Sequence, residues 1–227
     1  MCFASTQVLR DQYTQALHIK PKIIVIDIAT RQVLKSFEFP ESVFDHASFL
    51  NGVFIWSLKA FFNFPSLSTS DIVVDEVSMV AYMSDTAAPS GGIAVYDYKT
   101  DTARKFVGAS THTSIGTTFV IEGASWNVGG ATDGIALSPD RQRVYFSKIQ
   151  GRDVHSLPTN VMRNFALSES EWAVAVNASV VYHGEKTGIS DGMTFRFVGL
   201  HFAVFAVVVL VTPLSTQCRW LFVLRRL

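Results

Sequence analysis

Cysteine is scarce in this chain, and this scarcity narrows the kinds of site that the chain could carry. The 227 residues include only two cysteines, Cys2 and Cys218, one near each end. The sequence has no CxxC pair and no cluster of cysteine and histidine, so no zinc or other metal site is predicted. A disulfide between the two ends is not favoured, because both flanking segments differ in pattern from the rest of the chain. Cysteine usage therefore leaves the redox compartment open.

An excess of charge of either sign is also lacking. Lysine and arginine together number 19, as do aspartate and glutamate, so the net charge is zero. Proteins that bind nucleic acids usually present a basic surface, and we therefore predict no nucleic-acid partner. Residues 1–15 contain no apolar run of the length found in secretory signals, so no signal peptide is visible in this chain.

Several catalytic signatures are missing as well. The six histidines show neither the HExxH nor the HxH spacing of metal sites. Ser110 and Ser125 do not lie in a GxSxG motif, and Gly91-Gly92 is not a phosphate-binding loop. We therefore predict no cofactor.

Apolar residues, by contrast, are abundant and recur in a repeating phrase. They make up 48% of the chain, with 18 phenylalanines, which is enough to fill a core. The phrase reads Asp71-Ile-Val-Val-Asp-Glu, then Asp133-Gly-Ile-Ala-Leu-Ser-Pro-Asp, then Asp191-Gly-Met-Thr-Phe, at a spacing of about 60 residues. Each copy has an aspartate at the start of a short apolar run. This period favours a β-propeller in which each copy opens one four-stranded blade.

The runs that follow each phrase predict the strands of the blades. For the first complete blade they are Asp71–Glu76, Met79–Ser84, Gly92–Tyr98 and Thr102–Val107. For the second they are Gly134–Leu137, Arg143–Ser147, Asp153–Pro158 and Val174–Tyr182. Lys22–Ala29 and Val33–Phe39 read as the outer half of an earlier blade, and Asp191 opens a later one that is recognisable to Phe195. We therefore predict an all-β fold, a partial β-propeller with about two complete four-stranded blades and fragments of two more.

The repeat predicts a propeller domain at 20–195, after a poorly defined segment at 1–19 and before an apolar tail at 196–227. Two segments, 52–70 and 197–214, do not fit the repeat. Residues 52–70 are rich in phenylalanine without alternation, and we interpret them as an insertion of the kind that a translated intron would give. Residues 197–214 approach the lower length limit of a membrane span, but their valines suit a strand equally well, so a membrane partner is not favoured and the tail stays ambiguous.

Several further phrases occur in a characteristic order. They are Ala131-Thr-Asp-Gly-Ile-Ala-Leu-Ser-Pro-Asp, Arg143-Val-Tyr-Phe-Ser, Leu157-Pro-Thr-Asn-Val-Met-Arg-Asn, and His183-Gly-Glu-Lys followed by Ser190-Asp-Gly-Met. Ser48-Phe-Leu-Asn joined to Asp71-Ile-Val-Val-Asp gives one more phrase, interrupted by residues 52–70. Together these phrases resemble the Yellow and major royal jelly protein family, over residues 20–51 and 71–195.

The resemblance implies a six-bladed parent propeller of about twice the useful length of this chain, secreted and often glycosylated, and best known from insects. The family's roles include cuticle pigmentation with dopachrome conversion in some members, nutrition in bee jelly, and binding of biogenic amines by salivary proteins. An extracellular location and a small aromatic amine or catechol ligand are therefore expected.

Asp133 and Asp191 are candidate ligand-binding residues because they begin equivalent inner strands. The loop that leads into an inner strand lies at one mouth of a propeller's channel, where a carboxylate could bind a cationic amine. Alternatively, each aspartate accepts backbone N–H bonds in a tight turn and fixes the glycine that follows.

The loop Ser125–Thr132 offers a second set of ligand-binding candidates, namely Trp126, Asn127 and Thr132. An aromatic ring and an amide could hold a small aromatic ligand by stacking and hydrogen bonding. Alternatively, this is an ordinary loop with Trp126 packed on the neighbouring blade.

His112 and Asp133 are the candidate catalytic residues, because dopachrome conversion needs proton transfer near neutral pH. A surface histidine without a catalytic role is the alternative. Asn177-Ala-Ser179 is a glycosylation sequon, expected near the outer strand of its blade. Glu185 and Lys186 are interpreted as a solvated turn.

Three functions are consistent with these residues. The first is binding of a biogenic amine or a catechol-derived compound, or another role in pigmentation, impaired by truncation. The second is a dopachrome-converting isomerase of the melanin pathway. The third is a non-functional or structural fragment from a faulty gene model, which could self-associate through open blade edges.

Overall fold

The computed structural model describes residues 2–5, 21–27, 29–44, 48, 53–55, 67–69, 72–87, 91–114, 118–121, 123–126, 130–190, 192–195 and 202–205. Within these ranges the chain forms antiparallel sheets that follow one another along the sequence. No helix in the described part is long and apolar enough to cross a membrane.

The first full blade is a four-stranded antiparallel sheet whose strands are neighbours in sequence and in space. Its strands are β6 (Ile72–Asp75), β7 (Val80–Asp85), β8 (Gly92–Asp97) and β9 (Thr102–Phe106). These bounds match the predicted runs to within two residues, so this blade is confirmed. The first three strands are buried on both faces, as expected for a blade packed between neighbours.

The second full blade has the same topology but a longer last connection. Its strands are β12 (Thr132–Leu137), β13 (Arg143–Lys148), β14 (Asp153–Pro158) and β15 (Val181–Glu185). Two helices, α1 (Thr159–Met162) and α2 (Glu169–Ala178), lie between β14 and β15. The β12–β13 register shifts between Thr132 and Ile135, so the start of the inner strand is irregular.

Helix α2 corrects one of the predicted strands. The run Val174–Tyr182 was expected to be the fourth strand, but its first half lies in α2 and the strand begins only at Val181. The reason is a capping box, in which the Ser168 side chain accepts from the Glu171 backbone N–H and the Glu171 carboxylate accepts from the Ser168 N–H. Trp172 and Val176, four residues apart, then form the buried face of the helix.

The remaining strands form smaller or less regular sheets. They are β1 (Cys2–Ser5), β2 (Lys22–Asp27), β3 (Gln32–Glu38), β4 (Val53–Ile55), β5 (Leu67–Thr69), β10 (Phe119–Ile121), β11 (Ala124–Trp126), β16 (Gly192–Phe195) and β17 (Phe202–Phe205). The order in the first sheet is β3-β2-β1-β4-β5, while β10 pairs with β11 and β16 with β17. The predicted hairpin β2–β3 and the start of a later blade at β16 are confirmed.

Some of these strands lie in the segments that did not fit the repeat. β1 lies in 1–19, β4 and β5 lie in 52–70, and β17 lies in the apolar tail. The domain limits and the intron interpretation stay predictions. Self-association also stays a prediction. The exposed side chains of Val33 and Leu34, on the outermost strand β3, would be available for it.

The core consists of layers between successive sheets, because the apolar side chains of a blade strand alternate between its two faces. Ile72 and Met83 point toward β2, where they join Ile23 and Val25. A second set of side chains from the same blade packs against the second full blade and helix α2. This set is Val73, Val80, Tyr82, Ile93, Val95 and Phe106. A smaller cluster joins the second full blade to β16. This layered packing confirms the prediction of a partial β-propeller.

Candidate functional site

The connections that lead into the inner strands meet at one end of the blades. In an antiparallel meander, the start of the first strand, the connection between the second and third strands, and the end of the fourth lie on the same side. For the two full blades these connections are 86–91, 107–131, 149–152 and 186–191. We call this side the site face. It carries Asp133, Thr132 and His112 among the predicted site residues.

Asp133 lies near the start of β12 and is held by the neighbouring blade. The residue is 4% exposed. The Ser84 hydroxyl donates to its backbone carbonyl oxygen at 2.6 Å, and the Thr86 hydroxyl donates to its Oδ1 at 3.1 Å. Asp133 is therefore fixed between the two full blades at the start of the inner strand β12, through its backbone by Ser84 and through its carboxylate by Thr86. Its role in ligand binding stays a prediction.

Thr132 has a structural part in the same junction. Its hydroxyl donates to the Thr111 carbonyl oxygen at 3.0 Å, and its backbone N–H donates to the same oxygen at 3.2 Å. The Thr111 hydroxyl in turn donates to the Gly108 carbonyl oxygen at 2.9 Å. Because Thr132 is fully buried, its geometry anchors the loop that carries His112.

His112 follows Thr111 directly and is exposed. An exposed imidazole on the site face could exchange protons with a bound compound or with solvent. Its proposed catalytic role stays a prediction, as does that of Asp133.

Lys186 is the residue on the site face that sequence reasoning missed, and its interpretation as a solvated turn is wrong. The residue is only 6% exposed. Its Nζ donates to the Ser190 hydroxyl at 2.8 Å and to the Ser147 hydroxyl at 3.1 Å. Burial lowers the pKa of Lys186 to about 8, and the negative charges of Asp153 and Asp133 oppose this shift only in part.

Backbone bonds lock Lys186 into the site face. Its N–H donates to the Arg152 carbonyl oxygen at 2.6 Å, and the Arg152 Nε donates back to the Lys186 carbonyl oxygen at 3.0 Å. Glu185, in contrast, is exposed, as expected. The sequence signal for Lys186 was weak, since the burial depends on Ser147, 39 residues earlier in the chain.

Three ionisable side chains on β13 and β14 form a cluster near Lys186. The Lys148 Nζ lies 2.9 Å from Asp153 Oδ2, and the His155 Nδ1 lies 3.5 Å from the same oxygen. Burial raises the pKa of Asp153, but the hydrogen bond and charge of Lys148 outweigh it, so this pKa lies below its ordinary value. Burial lowers the pKa of His155, which favours its neutral form.

Three of the predicted site residues lie wholly or partly outside the described residues. The backbone of Trp126 ends β11, but its side chain lies outside the described residues. Asn127 and Asp191 also lie outside them. Their roles in ligand binding stay predictions.

Asn177 lies on α2, away from the predicted outer strand itself, and is exposed. The hydroxyl of the sequon's Ser179 donates to the Val176 carbonyl oxygen at 2.8 Å. The exposed side chain leaves room for a glycan. Glycosylation of Asn177 stays a prediction.

The opposite side of the blades has a cleft of about 520 Å³ that the sequence did not reveal. Its centre is Asp75, whose Oδ1 accepts from the backbone N–H groups of Val77 and Ser78 at 3.1 and 3.3 Å. Arg163 Nη1 lies 3.3 Å from Oδ2, and Arg141 Nε lies 3.5 Å from Oδ1. The charge of Asp75 is therefore compensated by two arginines that line the same cleft, which indicates a structural role for this residue. No group of three or more potential metal ligands occurs in the described ranges.

Substitution of Gly91 tests the packing of the junction between blades. A Cβ at this position would overlap the Asp85 carbonyl oxygen and lie 2.6 Å from the Cβ of Ala131. We expect Gly91→Ala to lower the free energy of unfolding by about 1–3 kcal/mol, measured by urea denaturation. Gly188→Ala is the matched control, because a Cβ there would meet no atom within 4 Å. Equal stability of the two variants would contradict the close approach.

Among known proteins, solved structures show only distant similarity to this chain. No curated protein sequence matches the chain. Among solved structures, hydrazine synthase from Kuenenia stuttgartiensis is similar with a TM-score of 0.40 and 10% identity, over 77% of this chain and 58% of that one. A luciferin-regenerating enzyme is similar with a TM-score of 0.32 and 9% identity, over 89% of this chain and 69% of that one. This chain thus spans little more than half the length of the hydrazine synthase chain.

The family model described as major royal jelly protein matches residues 11–198. This range includes both full blades and the site face, and residues 52–70 also lie within it. The sequence resemblance is thereby confirmed, and the chain belongs to the major royal jelly protein family.

Proposed function

We propose that this chain is part of an extracellular protein that binds a small cationic amine or a catechol-derived compound at the site face. The observation that carries the proposal is the buried carboxylate of Asp133 at the start of an inner strand, where it accepts from the Thr86 hydroxyl. The family's association with secretion, pigmentation and amine binding, noted with the sequence resemblance, supports the same ligand class.

The geometry supports a cationic ligand for an electrostatic reason. A carboxylate removed from water interacts more strongly with an ammonium group than an exposed one does. The ammonium would donate to Asp133, and Trp126, the last residue of β11, is the proposed stacking partner of the aromatic part of the ligand. Lys186 also interacts electrostatically with Asp133, so its positive charge would compete with the ligand's ammonium for this carboxylate.

Replacing Asp133 by asparagine tests the proposal. Titration calorimetry with dopamine and with serotonin should give saturable heat for the 227-residue protein, and we expect Asp133→Asn to weaken binding by about 10- to 100-fold. Asp140→Asn is the matched control, because Asp140 is exposed on the opposite side of the blades. If the folded wild-type protein gives no binding heat with either amine, the proposal is wrong.

A second function, dopachrome conversion, is favoured by the exposure of His112 on the site face. This function would appear in the same preparation as accelerated loss of dopachrome absorbance, removed by His112→Ala. A chain that shows neither binding nor turnover and is insoluble would fit the alternative of a non-functional fragment.

A further inference from the structure

The lysines of the described part differ sharply in what their amines contact. Lys35 Nζ lies 2.7 Å from Asp101, Lys105 Nζ lies 3.0 Å from Asp85, and Lys148 Nζ lies 2.9 Å from Asp153. Each of these amines is therefore paired with a carboxylate in direct contact. Lys22 is half-buried and Lys99 is exposed to solvent.

Lys186 is buried but contacts hydroxyl groups instead of a carboxylate. Its two acceptors are the hydroxyls of Ser147 and Ser190, which are themselves 1% and 4% exposed. Lysines are rarely buried unless they are paired with an opposite charge. An amine in this setting loses its proton more easily than a paired one, and lysines of this kind serve as nucleophiles and bases in other proteins.

Part of the connection that follows Lys186 is open to solvent. Thr187 and Gly188 are exposed, and a Cβ at Gly188 would meet no atom within 4 Å. A small compound would approach the amine from this side. Ser190, at the far end of the same loop, keeps its hydroxyl 2.8 Å from Nζ.

We propose that Lys186 is a reactive amine that forms an imine with small aldehydes or ketones bound at the site face, with the Ser190 and Ser147 hydroxyls relaying protons. This activity is separate from amine binding at Asp133, since an amine ligand has no carbonyl group with which to react.

The chemical step balances without any further reactant. The neutral ε-amine attacks the carbonyl carbon, a C–N bond forms, and a proton passes from nitrogen to the carbonyl oxygen through a serine hydroxyl. The carbinolamine then loses its hydroxyl group together with the second amine proton as water, which leaves the C=N bond. The nearby charges of Asp133 and Asp153 favour the protonated imine, as they favour the protonated amine.

Site-resolved trapping tests the proposal on the whole chain. Benzaldehyde and sodium cyanoborohydride are added to the native protein at pH 7, and peptide mass spectrometry gives the labelling rate of each lysine. We expect Lys186 to be labelled at least about tenfold faster than Lys148 or Lys105, because those amines are ion-paired. Labelling of Lys186 that is no faster than that of Lys148, or labelling confined to Lys99, would overturn it.

Two further measurements separate a reactive site from simple exposure. The labelling rate of Lys186 should level off near pH 8, the pKa of its amine. Ser190→Ala should slow labelling of Lys186 several-fold and leave Lys148 unchanged, and equal rates at Lys186 would contradict the proton relay. Unfolding in urea should abolish the selectivity. The calorimetry with dopamine measures binding at Asp133 and does not depend on labelling of Lys186. The two proposals can therefore fail independently.

Discussion

Replacing Trp172 by alanine is expected to lower the free energy of unfolding by about 3–5 kcal/mol. The indole is 1% exposed and lies in the core shared by the two full blades. Its Nε1–H donates to the Met162 carbonyl oxygen at 2.9 Å, which ties α2 to α1. Alanine would leave a cavity in this core and an unpaired carbonyl oxygen, and both effects destabilise the protein.

Arg104 adds a further contact that the alanine variant would lose. Its Cζ lies 5.6 Å from the indole centroid, and its Nη2 donates to the Leu167 carbonyl oxygen at 2.7 Å. The arginine on β9 thus joins the first full blade to the connection that carries α2.

Urea denaturation measures the loss, and Val174→Ala on the same helix is its control. Val174 is 70% exposed, so its truncation should change the free energy of unfolding by no more than about 0.5 kcal/mol. If the two substitutions destabilise equally, α2 does not dock through Trp172 as the structure shows.

The strands of the full blades could be predicted from sequence because both of their faces are buried. In β7, Ala81 and Met83 face one neighbouring sheet while Val80 and Tyr82 face the other. Such strands are continuous apolar runs bounded by turn residues, which are visible without an alignment. The phase of the repeat then locates the inner strand of each blade.

The apolar residues of α2 alone do not predict a helix, because the helix signal lies in the polar residues that precede them. Val174, Val176 and Val180 resemble a strand when taken alone. The capping box of Ser168 and Glu171 was present in the sequence and is a helix signal. It places Trp172 and Val176 on one face, so a local polar contact decided between helix and strand.

The candidate site was predictable only in part, for a similar reason. Asp133 could be found because the repeat puts it at the start of an inner strand. Lys186 could not, because its flanking residues read as a turn and its burial comes from Ser147 on another strand. Burial of a charged side chain depends on tertiary contacts that local composition does not contain.

Replacing Lys186 by methionine should change how stability depends on pH. The pKa of Lys186 is about 8 in the folded protein, against an ordinary value of 10.5. Between these pH values the unfolded chain binds more protons than the folded chain, so the wild-type protein gains stability as the pH rises from 8 to 10.5. Methionine cannot titrate, and the variant lacks this gain.

The stability of the wild type relative to Lys186→Met should therefore rise across this range, by an amount on the order of 2 kcal/mol. The charged and titratable groups near the amine are Asp133, Asp153, Lys148, Arg152 and His155. All are present in both proteins, so their own titration largely cancels in the difference. Urea denaturation of both proteins at pH 7, 8, 9 and 10.5 gives the measurement. A difference that stays constant with pH would mean that the folded protein does not desolvate this amine, whereas a rise above pH 8 locates a buried, easily deprotonated lysine at the mouth of the blades.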